Sequence, residues 1–231
     1  MQRFCASAMA LLWLCTQPLA LCAGDGRGDI RFQSAQAASV EDITKPNFSI
    51  ANGTVVLDVL VSEKGDVRSV QVRRDIVSLT EVAVASVRTW KFEPAQLRGT
   101  AVTSRITVAV TFNPASTLAE NIPLPPLLPQ NDEVRIRLGF QPVEVTFAAF
   151  PRYPDTAINP GTVIIQATID EAGILNSPKV LRDAPPFTDK ALRALGGWKF
   201  LPARLRGGPV KSKVIFAFVF RLPIPPLALQ W

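Results

Sequence analysis

Residues 53–112 recur without a gap at residues 161–220, so both stretches must build the same elements with the same loop lengths. The first copy begins GTVVLDVLVSEKGDV and contains WKFEPAQLRG; the second begins GTVIIQATIDEAGIL and contains WKFLPARLRG. At an offset of 108, 23 of 60 aligned positions are identical. Gly53 falls on Gly161, Gly65 on Gly173, Trp90 on Trp198, Pro94 on Pro202 and Phe112 on Phe220. Pro46 with Pro154 and Ile50 with Ile158 extend the match upstream. Two copies are too few for a solenoid, and the expectation is a tandem pair of small domains.

Within each copy the hydrophobic period changes in a fixed order. Val55, Leu57, Val59 and Val61 alternate with Asp58 and Ser62, and Val163, Ile165, Ala167 and Ile169 alternate with Gln166, Thr168 and Asp170. Period-two alternation marks a strand buried on one side. Gly65 and Gly173 follow, where a hairpin turn needs positive φ. A shorter strand comes next, 67–73 and 174–181, with Pro178 pointing to an edge position. Leu79, Val82, Ala83, Ser86, Val87 and Trp90 then fall at helical spacing, as do Leu192, Leu195 and Trp198. Ser78 with Glu81 reads as a capping box and Thr188 as a cap. Gly196-Gly197 should end the second helix early, and Pro94 and Pro202 stop both.

The last strand is the longest. Val102, Ser104, Ile106, Val108, Val110 and Phe112 share a face, as do Val210, Ser212, Val214, Phe216, Phe218 and Phe220, with Arg105, Lys211 and Lys213 opposite. The fold class is therefore α+β: two tandem domains, each a three-stranded antiparallel sheet with one packed helix, in the order strand, strand, helix, strand. The boundaries expected are a signal peptide at 1–23, a flexible leader at 24–45, a first domain at 46–113, a linker rich in Pro and Leu at 114–131, a second domain at 132–222 and a Pro-rich tail at 223–231. IPLPPLLP in the linker and LPIPPLAL in the tail are near repeats of each other. Such stretches are extended and poor in amide donors, suited to packing along a domain surface or to serving as a proline-rich ligand.

Residues 1–23 stand apart. Arg3 gives a short basic start, residues 4–15 are almost wholly apolar, and Ala20, Cys22, Ala23 and Gly24 offer small residues for cleavage. This is the layout of a secretory signal peptide, with an uncleaved anchor as the alternative. Cys5, Cys15 and Cys22 all lie inside it, so cleavage after Ala23 leaves a chain without thiols. Lipidation at Cys22 is the other alternative, although Leu21 stands where a small residue is usual. The expected location is the periplasm. Membrane association follows only from an uncleaved signal or a lipid on Cys22.

The formal net charge of +6 is spread singly or in pairs, with no basic stripe or interleaved aromatics, which argues against a nucleic-acid partner. Enzyme chemistry has little to stand on. The chain has no histidine, the commonest general base and metal ligand, and no glycine-rich phosphate loop. Glu63 with Glu171 and Asp75 with Asp183 match between copies but sit in turns. Neither a catalytic residue, a cofactor site nor a metal site is expected. Trp90-Lys91-Phe92 and Trp198-Lys199-Phe200 read as sheet-covering aromatics flanking a solvent-facing lysine, and Arg98-Gly99 and Arg206-Gly207 as turns. Arg27-Gly28-Asp29 spells an adhesion tripeptide that chance accounts for.

The ordered set of these residues resembles the C-terminal domain of the TonB family. The second copy carries Pro151, Tyr153, Pro154, Ala157, Gly161, Gly173, Trp198, Phe200, Pro202, Ala203, Gly207 and Phe220; the first lacks the tyrosine but carries Gly53, Gly65, Trp90, Phe92, Pro94, Ala95, Gly99 and Phe112. The resemblance implies a non-enzymatic energy-transducer-like domain that grips an outer-membrane receptor peptide by adding it beside the last strand. Carried onto this chain, it points to Val210, Lys211, Ser212, Lys213, Val214, Ile215 and Phe216 as the partner-binding strand. A typical energy transducer has an uncleaved membrane helix and a long Pro-Glu and Pro-Lys spacer; the expectation here is a cleavable signal and no such spacer. A long apolar edge needs a cover, so a second reading stays open: a structural envelope protein whose long strands pair within the chain or between chains, as in a homodimer.

Overall fold

Eight strands in the first copy recur in the second, each shifted by 108 residues. In the first copy of the computed structural model these are β1 (Phe32–Gln33), β2 (Gln36–Ser39), β3 (Gly53–Val61), β4 (Val67–Arg74), helix α1 (Val77–Thr89), β5 (Lys91–Glu93), β6 (Ala95–Leu97), β7 (Thr100–Val102) and β8 (Ser104–Phe112). In the second they are β9 (Phe140–Gln141), β10 (Glu144–Phe147), β11 (Gly161–Ile169), β12 (Leu175–Arg182), helix α2 (Thr188–Leu195), β13 (Lys199–Leu201), β14 (Ala203–Leu205), β15 (Gly208–Val210) and β16 (Ser212–Phe220). The structure describes residues 31–43, 51–113, 122–129, 137–157 and 159–221. The signal segment, Cys22, the adhesion-like tripeptide and the tail lie outside them.

The expected three-stranded antiparallel unit is present in each copy, as β4-β3-β8 and β12-β11-β16, but the two units are not separate. They join into one six-stranded mixed sheet in the order β12-β11-β16-β8-β3-β4. The joint is a parallel pairing of the two last strands, running from Val214 beside Thr107 to Val219 beside Phe112. Four two- and three-stranded antiparallel sheets, built from the short strands, complete the α+β architecture.

That register has a geometric consequence. Equivalent residues are 108 apart, but partners across the joint are 107 apart, as Ile215 and Val108 are. Side chains of neighbouring residues along a strand point to opposite faces, so an odd mismatch turns one copy over relative to the other. One face carries Val55, Leu57, Val59, Ile106, Val108 and Val110 together with Ile215, Ala217 and Val219, all in one buried cluster with Leu79, Ala83 and Val87 of α1. The second copy's own core residues, Val163, Ile165, Val214, Phe216 and Phe218, are also buried, and by the same register they occupy the opposite face. Both faces of the central strands are therefore covered; all nine residues of β8 are buried.

One helix is too narrow to cover six strands, and each copy adds an arm ahead of its first long strand. Ala35 and Ile43 of the first arm are fully buried in the cluster that includes Ile164 and Ile215 of the other copy. The arm is fastened there by Ala37 N–H to Gln166 Oε1 at 2.8 Å, Lys213 N–H to Ser34 Oγ at 2.9 Å and Thr162 Oγ1 to Ile43 O at 3.2 Å. The second arm lies on the first copy in return, with Thr107 Oγ1 donating to Val143 O at 2.7 Å. Each arm also pairs with its own copy, β1 with β6, β2 with β5, β9 with β14 and β10 with β13. The indole N–H groups of Trp90 and Trp198 bond Glu41 O and Ala149 O, again 108 apart. The flexible leader expected at 24–45 is thus corrected over 31–43, which is an ordered, partly buried arm.

Helix starts also differ from expectation. Neither helix has a side-chain N-cap hydrogen bond. Thr80 Oγ1 instead accepts from Ile76 N–H, and its counterpart Thr188 Oγ1 accepts from Ala184 N–H. α2 stops at Leu195 before Gly196-Gly197, two residues short of the position equivalent to Thr89. The turns follow the sequence closely. Arg98-Gly99 and Arg206-Gly207 all have positive φ, the two-residue hairpin geometry. Before β4, Ser62 Oγ accepts the amides of Lys64 and Asp66; before β12, Asp170 Oδ1 accepts those of Ala172 and Ile174.

Two outcomes are expected from these turns. A Cβ on Gly65 would lie 1.9 Å from Phe92 O, and one on Gly173 2.6 Å from Phe200 O, both with positive φ. Gly65→Ala should cost about 3 kcal/mol or more in urea unfolding, and Gly173→Ala somewhat less. The Ile174 amide, offset in part by desolvation and then helped by the Ala172 amide, holds the Asp170 carboxyl below its ordinary value. A depressed carboxyl stabilises above its unfolded pKa, and the contribution is lost as pH falls through the folded one. Asp170→Asn should therefore flatten the acid side of the stability profile below about pH 4, whereas Ser62→Ala should lower stability equally at all pH values.

Candidate partner-binding edge

The strand singled out from the sequence lies at the centre of the six-stranded sheet, with eight of its nine residues buried. β16 has β11 antiparallel on one side, from Gly161 opposite Phe220 to Ile169 opposite Ser212, and β8 parallel on the other. Val214, Ile215 and Phe216 are fully buried, and Ser212 is buried as well. Val210 belongs to the short strand β15 and pairs with Ala203. Lys211 is exposed, while Lys213 is half-buried, its ammonium donating to Gln36 Oε1 of the first arm and its pKa pushed down by burial. Arg105, on the face opposite Ile106 and Val108, is buried. The free edge expected at 210–216 is corrected: the first copy's last strand already occupies it along Val214–Val219. The alternative of pairing within the chain is the arrangement found.

Availability shifts to the outer strands. On β4, the linker supplies a cover: Leu128 N–H donates to Arg73 O at 2.7 Å, Gln71 Nε2 donates to Pro129 O at 3.3 Å, and the guanidinium groups of Arg73 and Arg74 reach Leu128 O and Pro125 O. On β12, the sheet ends; among the described residues β11 is its sole neighbour. Pro178 sits in that edge strand as expected, next to Ser177 at φ 49° and within a shift of register with β11 between Asn176 and Lys179. Asn176, Ser177, Pro178, Lys179 and Arg182 are exposed. Arg182 also bonds Asp42 of the first arm at 2.9 Å.

The family-pattern aromatics are packing residues. Trp90, Trp198, Phe92 and Phe200 are all buried, Trp198 meeting Phe216 edge-on at 5.1 Å. Lys91 and Lys199 are exposed. Tyr153 packs edge-on against Phe187 at 5.6 Å and Phe220 at 6.3 Å, and burial pushes its pKa up. Its place is inside the domain, closing the space between the helix start and the last strand. Asp183 receives the Thr188 hydroxyl, a turn contact, and Glu63 and Glu171 are exposed. No helix among the described residues is long and apolar enough to cross a membrane.

Each copy is thus a small α+β unit of β-β-α-β order, and these packing residues fix its core. The family model for the Gram-negative bacterial TonB protein C-terminal matches residues 50–114 and 149–222, 139 of the 231 residues. The chain belongs to that family, with two tandem copies of its domain. A comparison with curated proteins gives no match. The family domain is a non-enzymatic binding module that interacts with outer-membrane receptors.

Proposed function

We propose that this chain is a non-enzymatic, periplasmic TonB-like protein that binds a protein partner, an outer-membrane receptor peptide in TonB-dependent transport, by strand addition at β12. The observation that carries the reading is the contrast between the two kinds of edge. The last strands that the family offers to a partner are spent on each other, and the linker lies along β4. β12 is left with β11 on one side and, among the described residues, no pairing strand on the other.

Its composition restricts what it accepts. Pro178 and the positive φ of Ser177 interrupt the ladder, which shortens the usable stretch to Lys179–Arg182 and disfavours pairing with a second copy of itself. Lys179 and Arg182, with Lys211 close in charge to the same turn, favour an acidic extended peptide. Backbone hydrogen bonds supply the affinity in this mode, and the basic residues the choice of partner.

Amide hydrogen exchange on the full chain, with and without acidic receptor-derived peptides, tests the proposal. The expected result is slowed exchange at 179–182 with 214–219 unchanged, and about tenfold weaker binding for Lys179→Glu with Arg182→Glu. Peptide-induced change confined to 212–220 would place the partner on β16 and refute the β12 site. No change at any amide would favour the second reading, a structural envelope protein, for which the internal β8–β16 pairing is the specific support.

A further inference from the structure

At the other end of the sheet, where the second copy's arm crosses the first copy's strands, lies a half-open cavity of about 290 Å³. Asp58, Arg73, Arg74, Glu144 and Arg204 line it, together with the exposed apolar side chains of Leu127 and Leu201. The two adjacent arginines both reach it because the β3–β4 ladder bulges between them: Arg74 pairs with Val56 and Val72 with Leu57, leaving Arg73 without a cross-strand partner. Asp58 is 2% exposed, held by Arg73 Nε at 3.4 Å and the Thr107 hydroxyl at 3.3 Å. Arg74 is 9% exposed; its Nη2 donates to Val145 O at 3.0 Å, its Nη1 to Pro125 O, and its Nε has no partner among the described residues.

The repeat supplies an internal control for this cluster. At the positions 108 residues away, the other half of the sheet has Gln166 for Asp58 and Leu181 for Arg73, and the matching arm and strand have Gln36 for Glu144 and Gln96 for Arg204. Gln166 there fastens the arm through the Ala37 amide, and Leu181 packs on the apolar core. The same backbone is therefore built with four of the five charges replaced by neutral residues. Burying charge is costly, and an apolar replacement of similar volume is often neutral or stabilising, so the fold itself does not require this cluster.

Three guanidinium groups face two carboxylates, which leaves one positive charge in excess beside an apolar mouth. A guanidinium fork matches a carboxylate in geometry and charge. The volume stands at the low end of small-molecule sites, roughly 300–1,000 Å³. From these features we infer that the cavity binds a small organic carboxylate with an apolar tail, its carboxylate received by Arg74 and Arg204 and its tail by Leu127 and Leu201. The site is separate from the β12 edge and stands whether or not a peptide binds there.

Isothermal titration of the full chain with N-acetyl-L-leucine, and with N-acetyl-L-leucinamide as the neutral twin, tests it. The acid should bind saturably, with a Kd at least tenfold lower than that of the amide. Arg204→Gln alters an exposed residue and should leave Tm unchanged while weakening the acid at least tenfold and the amide little. An acid that does not saturate, an amide that binds equally well, or an Arg204→Gln chain that binds the acid like the parent would each overturn the assignment.

Discussion

The parallel pairing of β8 with β16 is the contact on which the rest of the molecule depends. A last strand standing alone at the edge of a three-stranded sheet exposes a row of unpaired amides and a long apolar face. Joining the two edges removes both hazards at once and places β8 and β16 at the centre of a six-stranded sheet. The offset of 107 across the joint, against 108 between equivalents, then dictates everything layered on top. Helices go to opposite faces, each arm must cover the other copy's half, and neither copy buries its last strand without the other.

This arrangement reverses the functional logic that the family resemblance brings. A single TonB-like domain has a last-strand edge to offer; here that edge is satisfied by a tethered copy of itself, whose effective concentration is far above that of a free peptide. A partner seeking β16 must first displace six register positions of ladder. The outer strands of the sheet are β4 and β12, and among the described residues β12 is the less covered of the two.

The elements of each copy were legible because their periods are clean. Alternation at Val55–Val61, the turn at Gly65, the helical stripe ending at Trp90 and the stop at Pro94 all correspond to what the chain builds. The joint was also written in the sequence, in the unbroken apolar run VIFAFVF, since a strand that is apolar on both sides is buried on both. The arms were harder. Phe32-Gln33 and Phe140-Gln141 repeat at the same offset, but the residues after them share little identity, because each arm packs on a different partner surface. The cluster at Asp58 and Arg73 was invisible, since alternation puts Asp58 on the outer face and nothing local says that an arm covers that face.

The central claim, that the two last strands pair with each other inside one chain, is tested most directly by a cysteine pair at Val110 and Ala217, register partners across the joint. Adjacent strands lie about 4.8 Å apart, within disulfide reach, so Val110→Cys with Ala217→Cys should cross-link readily. With Cys5, Cys15 and Cys22 replaced by serine, the bond should form within single chains. It should give a monomer on non-reducing gels, at a rate independent of protein concentration. Cross-linked dimers whose yield rises with concentration, or free thiols after full oxidation, would contradict the account.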